Sequence, residues 1–217
     1  MKRITILVIA VASAMAHGQI SLSSLDDFQD GTLMDWAGGA HPTNIDTGGP
    51  GGVGDKFLQL TSTGGILAGS KMAATNDAAR WTGDYKAAGV SALQVWMKNF
   101  GDTDLHMRAV LFQGDGNRFT SVNDQFLKAH QDWTLCTFAL GENDLVKVLG
   151  SLTYDQMITN VGEIMFRHSV NPSAGGDSVV AEMGWDDIKA VPEPCTLTLM
   201  GVAGLASIVS SRRRKRS

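Results

Sequence analysis

The sequence predicts an all-β fold, an antiparallel two-sheet β-sandwich of jelly-roll type, and three observations carry that expectation. Several stretches alternate apolar and polar residues with a period of two. Turn signals rich in Gly, Asn and Asp separate them, and no helix of about ten or more periodic residues intervenes. The acidic residues also point away from a helical bundle. Of the 21 between His17 and Val191, 18 are Asp and three are Glu (Glu142, Glu163, Glu182). Asp favours turns and caps, whereas Glu favours helix interiors.

In chain order, Phe57–Thr61 is the first alternating candidate. Ser91–Lys98 sets Leu93, Val95 and Met97 on one face and Gln94, Trp96 and Lys98 on the other. Leu105–Leu111 sets Leu105, Met107, Ala109 and Leu111 opposite His106 and Arg108. Trp133–Leu140 carries Cys136, Phe138 and Leu140 on one side; Val161–His168 does the same with Ile164 and Phe166, and Val179–Ile188 is the last candidate. Turns are expected at Gly101-Asp102, Gly114-Asp115-Gly116, Gly141–Asp144 and Asn171-Pro172 through Gly176. Asp144–Leu149 and Thr153–Met157 are expected as short helical turns. Cys136 is the body's only cysteine and reads as a small buried hydrophobe, so stability must come from core burial without disulfides.

The two ends read as addresses. Residues 1–16 place Lys2 and Arg3 before an uncharged apolar run, Ile4 to Ala16, that closes on small residues. This is the layout of a secretory signal peptide cleaved before His17, which implies the Sec export machinery. As a helix that run spans about 20 Å, short of the roughly 30 Å hydrocarbon core. Residues 17–190 form the expected sandwich domain and 191–217 a tail. In the tail, Val191-Pro192-Glu193-Pro194 precedes an uncharged stretch from Cys195 to Ser211, and Arg212, Arg213, Arg214, Lys215 and Arg216 follow. The prolines hold the backbone extended, the stretch can just span a bilayer as a single transmembrane helix, and the cations hold its end on the cytoplasmic side.

These three parts, in this order, resemble a PEP-CTERM sorting signal, with Cys195 where the family has a small residue such as Ser or Ala. The resemblance implies processing by an exosortase of a Gram-negative bacterium, an inner-membrane-tethered precursor, and delivery to the cell surface or extracellular matrix. A second resemblance covers most of residues 25–190. Asp26-Asp27-Phe28-Gln29-Asp30-Gly31-Thr32 with Trp36, and Trp185-Asp186-Asp187-Ile188, are similar to the opening and closing strands of secreted jelly-roll and carbohydrate-binding-module-like domains. Arg80-Trp81-Thr82-Gly83-Asp84-Tyr85, Ala87–Val90 and Asn160–His168 resemble blocks of PEP-CTERM proteins of unassigned activity.

The body carries 11 basic against 21 acidic residues, a net charge of −10, which repels phosphates and excludes nucleic acid as a partner by charge. No G-x-S-x-G elbow, H-E-x-x-H or Cys–His constellation occurs, and no pair of carboxyls stands out among so many Asp. The chain is therefore read as non-catalytic, with no required cofactor. If the terminal strands pair, Asp27 and Asp187 are the expected ligands of a structural calcium ion, as the jelly-roll resemblance implies. For a polysaccharide ligand, Trp96 offers an aromatic plate, and His106, Arg108 and Arg167 offer fixed donors on what the alternation takes as the matching face. Trp81 and Tyr85 are second candidates. The expected function is an exported surface or matrix protein that binds or organises extracellular polysaccharide. The alternatives are a secreted carbohydrate-active enzyme or sugar-binding module, and a purely structural surface protein.

Overall fold

The computed structural model describes residues 19–192 except residue 115. Two antiparallel sheets enclose one core, as the alternation predicts. The first sheet runs, in spatial order, β2 (Thr43–Ile45), β3 (Phe57–Thr63), β12 (Val180–Val191), β5 (Ala92–Asn99) and β9 (Thr134–Ala139), with β1 (Leu25–Asp26) paired to β12. The second runs β10 (Leu145–Leu149), β7 (Asn117–Ser121), β6 (Leu105–Gln113), β11 (Glu163–His168) and β4 (Ala73–Asn76), with β8 (Gln125–Leu127) paired to β6. The chain crosses between sheets from β3 to β4, β4 to β5, β5 to β6, β8 to β9, β9 to β10 and β11 to β12.

Every apolar set read from the alternation faces inward. Leu93, Val95 and Met97 of β5 meet Leu105, Met107, Ala109 and Leu111 of β6, all buried, and Cys136, Phe138, Ile164 and Phe166 join them. Aromatic rings tie the layers. Phe166 of the second sheet lies 5.1 Å from Phe138 and 5.5 Å from Trp185, both of the first. Trp36, from the loop after β1, stacks on Phe166 at 5.7 Å and meets Trp185 edge-on at 5.6 Å, offset and T-shaped packings that aromatic quadrupoles favour. Burial pushes the Cys136 thiol up to about 12, so it behaves as an inert hydrophobe.

The ends of the body pair, Leu25 with Lys189 and Asp26 with Ile188, which meets the condition set for Asp27 and Asp187 to be neighbours. The register of β12 against β5 shifts between Asp186 and Lys189, and Asp187 has a φ of 46° there. This bulge inserts one residue. Strict alternation from Trp185 would send the Asp187 carboxylate inward and Ile188 outward; with the bulge, Trp185 and Ile188 are both fully buried.

Asp144–Leu149 is not a helical turn. From Leu145 it is strand β10, antiparallel to β7, which suits its β-branched Val146 and Val148. The turn expected at Thr153–Met157 is α1 (Tyr154–Ile158), capped reciprocally by Thr153 and Gln156. The alternation did not reveal β2, β4, β7 or β8, which are short. Among the described residues no helix is long and apolar enough to cross a membrane. The expected signal peptide (1–16) and the part of the expected sorting tail from Glu193 through Pro194 to Arg212, Arg213, Arg214, Lys215 and Arg216 lie outside the described residues; Val191 ends β12 and Pro192 follows it.

Candidate functional site

The residues proposed for one groove are divided between two outer faces. Trp96 lies on β5 in the first sheet, across from Leu135 and Asp186, and is half-buried. His106, Arg108 and Arg167 belong to β6 and β11 in the second sheet. Because β5 and β6 lie in different sheets, their outward side chains point away from each other through the thickness of the sandwich. A groove lined by Trp96 together with Arg108 does not exist. β5 and β6 are consecutive in the chain, but their connection crosses from one sheet to the other, so alternation alone cannot match their outward faces.

Arg108 is a structural pin. Its buried guanidinium donates to the carbonyls of Ser121, Val122, Ser169 and Val170 at 2.7–2.9 Å, joining the ends of β7 and β11. Burial pushes its pKa down, and the ion pair to Asp124 is long, at 3.8 Å. His106 pairs with Asp124 through Nδ1 at 2.5 Å and packs on Phe126. Trp81 and Tyr85 are fully buried, and the Tyr85 hydroxyl donates to the Trp81 carbonyl at 2.8 Å, so neither serves a ligand.

On the first sheet's outer face, Phe57, Phe100 and Trp133 form an aromatic cluster, with Trp133 5.3 Å from Phe57 and 6.4 Å from Phe100. Gly184 lies beneath it: a Cβ there would stand 2.6 Å from the Trp133 ring and 3.1 Å from each phenylalanine ring. Beside this cluster, burial and the neighbouring carboxylates of Asp187, Asp55 and Asp27 push Asp186 up to about 8. Burial first, then Asp55 and Asp27, also raises Asp187. Asp27 and Asp187 thus share a neighbourhood, although among the described residues no group of three or more His, Cys, Asp or Glu is disposed to hold a metal ion.

Arg167 belongs to a different arrangement, a cleft of about 460 Å³ on the outer face of the second sheet. Its floor comes from β4 (Ala73, Thr75) and β11 (Met165, Arg167), and Arg118 of β7 reaches across from the side. One wall is the loop at Gly38 and Gly39, packed so closely on β4 and the 68–71 turn that a Cβ on Gly39 would lie 2.0 Å from the Ala68 carbonyl and one on Gly38 2.7 Å from the Ala73 carbonyl. The opposite wall is the loop between β11 and β12. Arg118 donates to Ala174 at 2.7 Å, Arg167 to Ala174 at 3.1 Å and to Ser173, and Lys71 to Gly176. Arg118 also stacks over Phe112 at 5.0 Å. Burial, with Arg118 and Arg108 nearby, pushes Arg167 down to about 10.

Sequence reasoning found Arg167 and missed Arg118 and Lys71. Arg118 follows a glycine turn on a strand too polar to register as one, and Lys71 sits in a turn. What gathers the three is sheet order, β7-β6-β11-β4.

No protein-family model matches the chain, and no curated protein matches it. Solved structures do. A family 11 carbohydrate-binding module from Clostridium thermocellum, solved with a β-1,3-1,4-mixed-linked tetrasaccharide, aligns with a TM-score of 0.51 at 16% identity, covering 77% of this chain and 94% of that one. The solution structure of CtCBM11 aligns with a TM-score of 0.53 at 16% identity, over 82% and 98%. An exo-beta-agarase aligns with a TM-score of 0.54 at 15% identity, and its match covers 79% of this chain but only a quarter of the agarase. At such identities the likeness establishes the fold: the body is a β-sandwich of the architecture that carbohydrate-binding modules use.

Proposed function

We propose that this chain is an exported, non-catalytic carbohydrate-binding β-sandwich that binds or organises extracellular polysaccharide at the cell surface or in the matrix. The observation that carries the reading is the cleft on the second sheet, a walled depression of about 460 Å³ whose lining joins fixed donors to apolar side chains. That volume falls within the roughly 300–1,000 Å³ of small-molecule sites. The fold likeness adds to it, since two of the aligned structures are carbohydrate-binding modules, one of them solved with a bound tetrasaccharide. Likeness to part of an agarase does not bring its activity along; the cleft is lined by no Asp or Glu, so no carboxyl pair for glycoside hydrolysis stands in it.

Delivery is the second half of the proposal. The resemblance of residues 191–217 to a PEP-CTERM signal supports exosortase processing of a precursor that the inner membrane holds transiently. Replacing Pro192 and Pro194 is expected to leave the precursor unprocessed in membranes, and unchanged processing refutes recognition of that segment. A calcium ion shared by Asp27 and Asp187 belongs to the proposal as well. It predicts a higher melting temperature in calcium than in chelator, and identical melts remove it. For the binding reading, the full chain on a glycan array is expected to retain at least one polysaccharide class. Retention of none favours a purely structural surface protein.

A further inference from the structure

We infer that the cleft on the second sheet is built for a glycan that carries negative charge, its carboxylate or sulfate group held by Arg118 and Arg167 with Lys71 beside them. The inference deepens the sugar-binding reading and rests on it. Three of the body's 11 basic residues line this one cleft, in a body with 21 acidic residues, and no Asp or Glu lines it. Among the described residues, none of the three forms an ion pair, although most other cations of the body do. Asp177 acts on Arg167 only through space, its carboxylate accepting from the Val170 amide at 2.8 Å.

The cations are instead met by the neutral carbonyls of residues 173–176, which satisfy individual N–H groups without offsetting charge. Those carbonyls also leave donors unused. The Nε–H groups of Arg118 and Arg167 are both buried without a hydrogen-bond partner, although Arg167 is only 2% exposed. A buried, unpaired donor on a charged group carries a desolvation penalty that a proper partner removes. The partner that fits is planar or tetrahedral and presents one anionic oxygen to the Arg167 Nε–H and two to the Nε/Nη2 edge of Arg118, whose Nη1 alone is taken by Ala174, as a carboxylate or a sulfate ester does. A neutral hydroxyl meets one donor at a time and leaves the charge as it was.

The rest of the cleft suits a sugar ring more than a bare ion. Met165, Ala68 and Ala73 supply apolar surface for a pyranose C–H face, and the Phe112 ring lies beneath the Arg118 guanidinium, 5.0 Å away. Polyphosphate chains are disfavoured, since each further phosphate approaches a surface of net charge −10. A glycan spaces its charges a ring apart, so one can enter the cleft while its neighbours remain in solvent.

The test is isothermal titration of the full chain with trigalacturonate, with sulfated cellotriose, and with the carboxyl-reduced or unsulfated counterpart of each. One charged probe is expected to bind about 10-fold or more tightly than its neutral counterpart, as a charge-assisted pair implies, and to weaken as salt rises. Which charged probe prevails decides between uronate and sulfate. Arg118→Met and, separately, Lys71→Met are expected to reduce that preference with the melting temperature retained, and Arg118→Lys to restore part of it. Equal or tighter binding of the neutral probes, unaffected by either substitution, overturns the inference and leaves the sugar-binding reading intact. Binding of no glycan, charged or neutral, sinks both. Equally tight binding of poly-aspartate reassigns the cleft to acidic peptides and overturns the glycan assignment.

Discussion

A carboxylate with no solvent exposure persists at the first strand because four side chains surround it. Asp26 accepts from the indoles of Trp36 and Trp81 at 2.8 and 2.7 Å, from Arg80 Nε at 2.6 Å and from Asn76 at 3.4 Å. These donors come from the loop after β1, the turn before β5 and strand β4, so one anion pins segments that pack on both sheets. Removing Asp26 strands the buried indole N–H groups of Trp36 and Trp81 and strips Arg80 of its buried partner, leaving it only the exposed Asp35, so Asp26→Ala is expected to lose about 3–5 kcal/mol in urea denaturation. A loss below about 1 kcal/mol, the worth of an exposed pair, contradicts this role. A second residue sets a pH response. Burial holds the His168 imidazole below the usual histidine range, and its Nδ1 accepts from the His106 amide at 3.0 Å, which requires that nitrogen unprotonated. Between its folded value and about 6.5 the unfolded chain binds the proton first. Stability from this group is therefore complete above about pH 6.5 and lost as pH falls toward the folded value. Thermal melts from pH 8 to 5 are expected to drop in that window, and His168→Asn to flatten the drop; equal slopes in both proteins refute it. At this scale the sequence was partly legible. Adjacent Asp26 and Asp27 look alike in one dimension, yet one is buried and the other faces an acidic neighbourhood, a difference made by Arg80 and Trp81 more than 50 positions away.

Strands were legible in proportion to their length and to how cleanly one side meets the core. β5, β6, β9 and β11 each bury a continuous apolar set, and alternation alone located them and oriented their faces. β4 and β7 were not legible, because Ala73–Asn76 and Asn117–Ser121 are short and mix polar residues into both faces, and these strands position Thr75 and Arg118 in the cleft. β10 misled because Asp144 and Leu145 look like the start of a helical turn, while Val146 and Val148 settle it as a strand beside β7. The bulge at Asp187 has a sequence cause, two successive Asp where the core needs Trp185 and Ile188 inside. Next to it, Gly184 admits the Trp133 ring to the sheet surface. Gly184→Val is expected to cost about 1–3 kcal/mol by overpacking, and Trp133→Leu in the same chain to recover part of that. An unchanged melt for the single substitution shows that the cluster is not packed as described.

Across the whole molecule, repeated crossing between sheets decides where function can sit. The sequence correctly yields an all-β sandwich, because core burial and turn chemistry are local quantities, and it leaves open whether the ends pair, because that contact is made across the whole chain. It does not yield the site, because Trp96 and Arg167 have similar signatures, an outward side chain on an alternating strand, and only sheet order places them on opposite faces. The same crossovers bring Lys71, Arg118 and Arg167 together from three separated segments and set β11's continuing loop over them as a wall. Binding is assigned to this cleft and not to the Trp96 face. That assignment is tested most directly by measuring, on the full chain, the affinity of a retained glycan for Trp96→Ala and Arg118→Met in parallel. A loss of about 10-fold or more is expected for Arg118→Met, with an affinity within about two-fold of the original for Trp96→Ala. Loss at Trp96 with Arg118 indifferent would move the site to the other sheet and contradict the assignment.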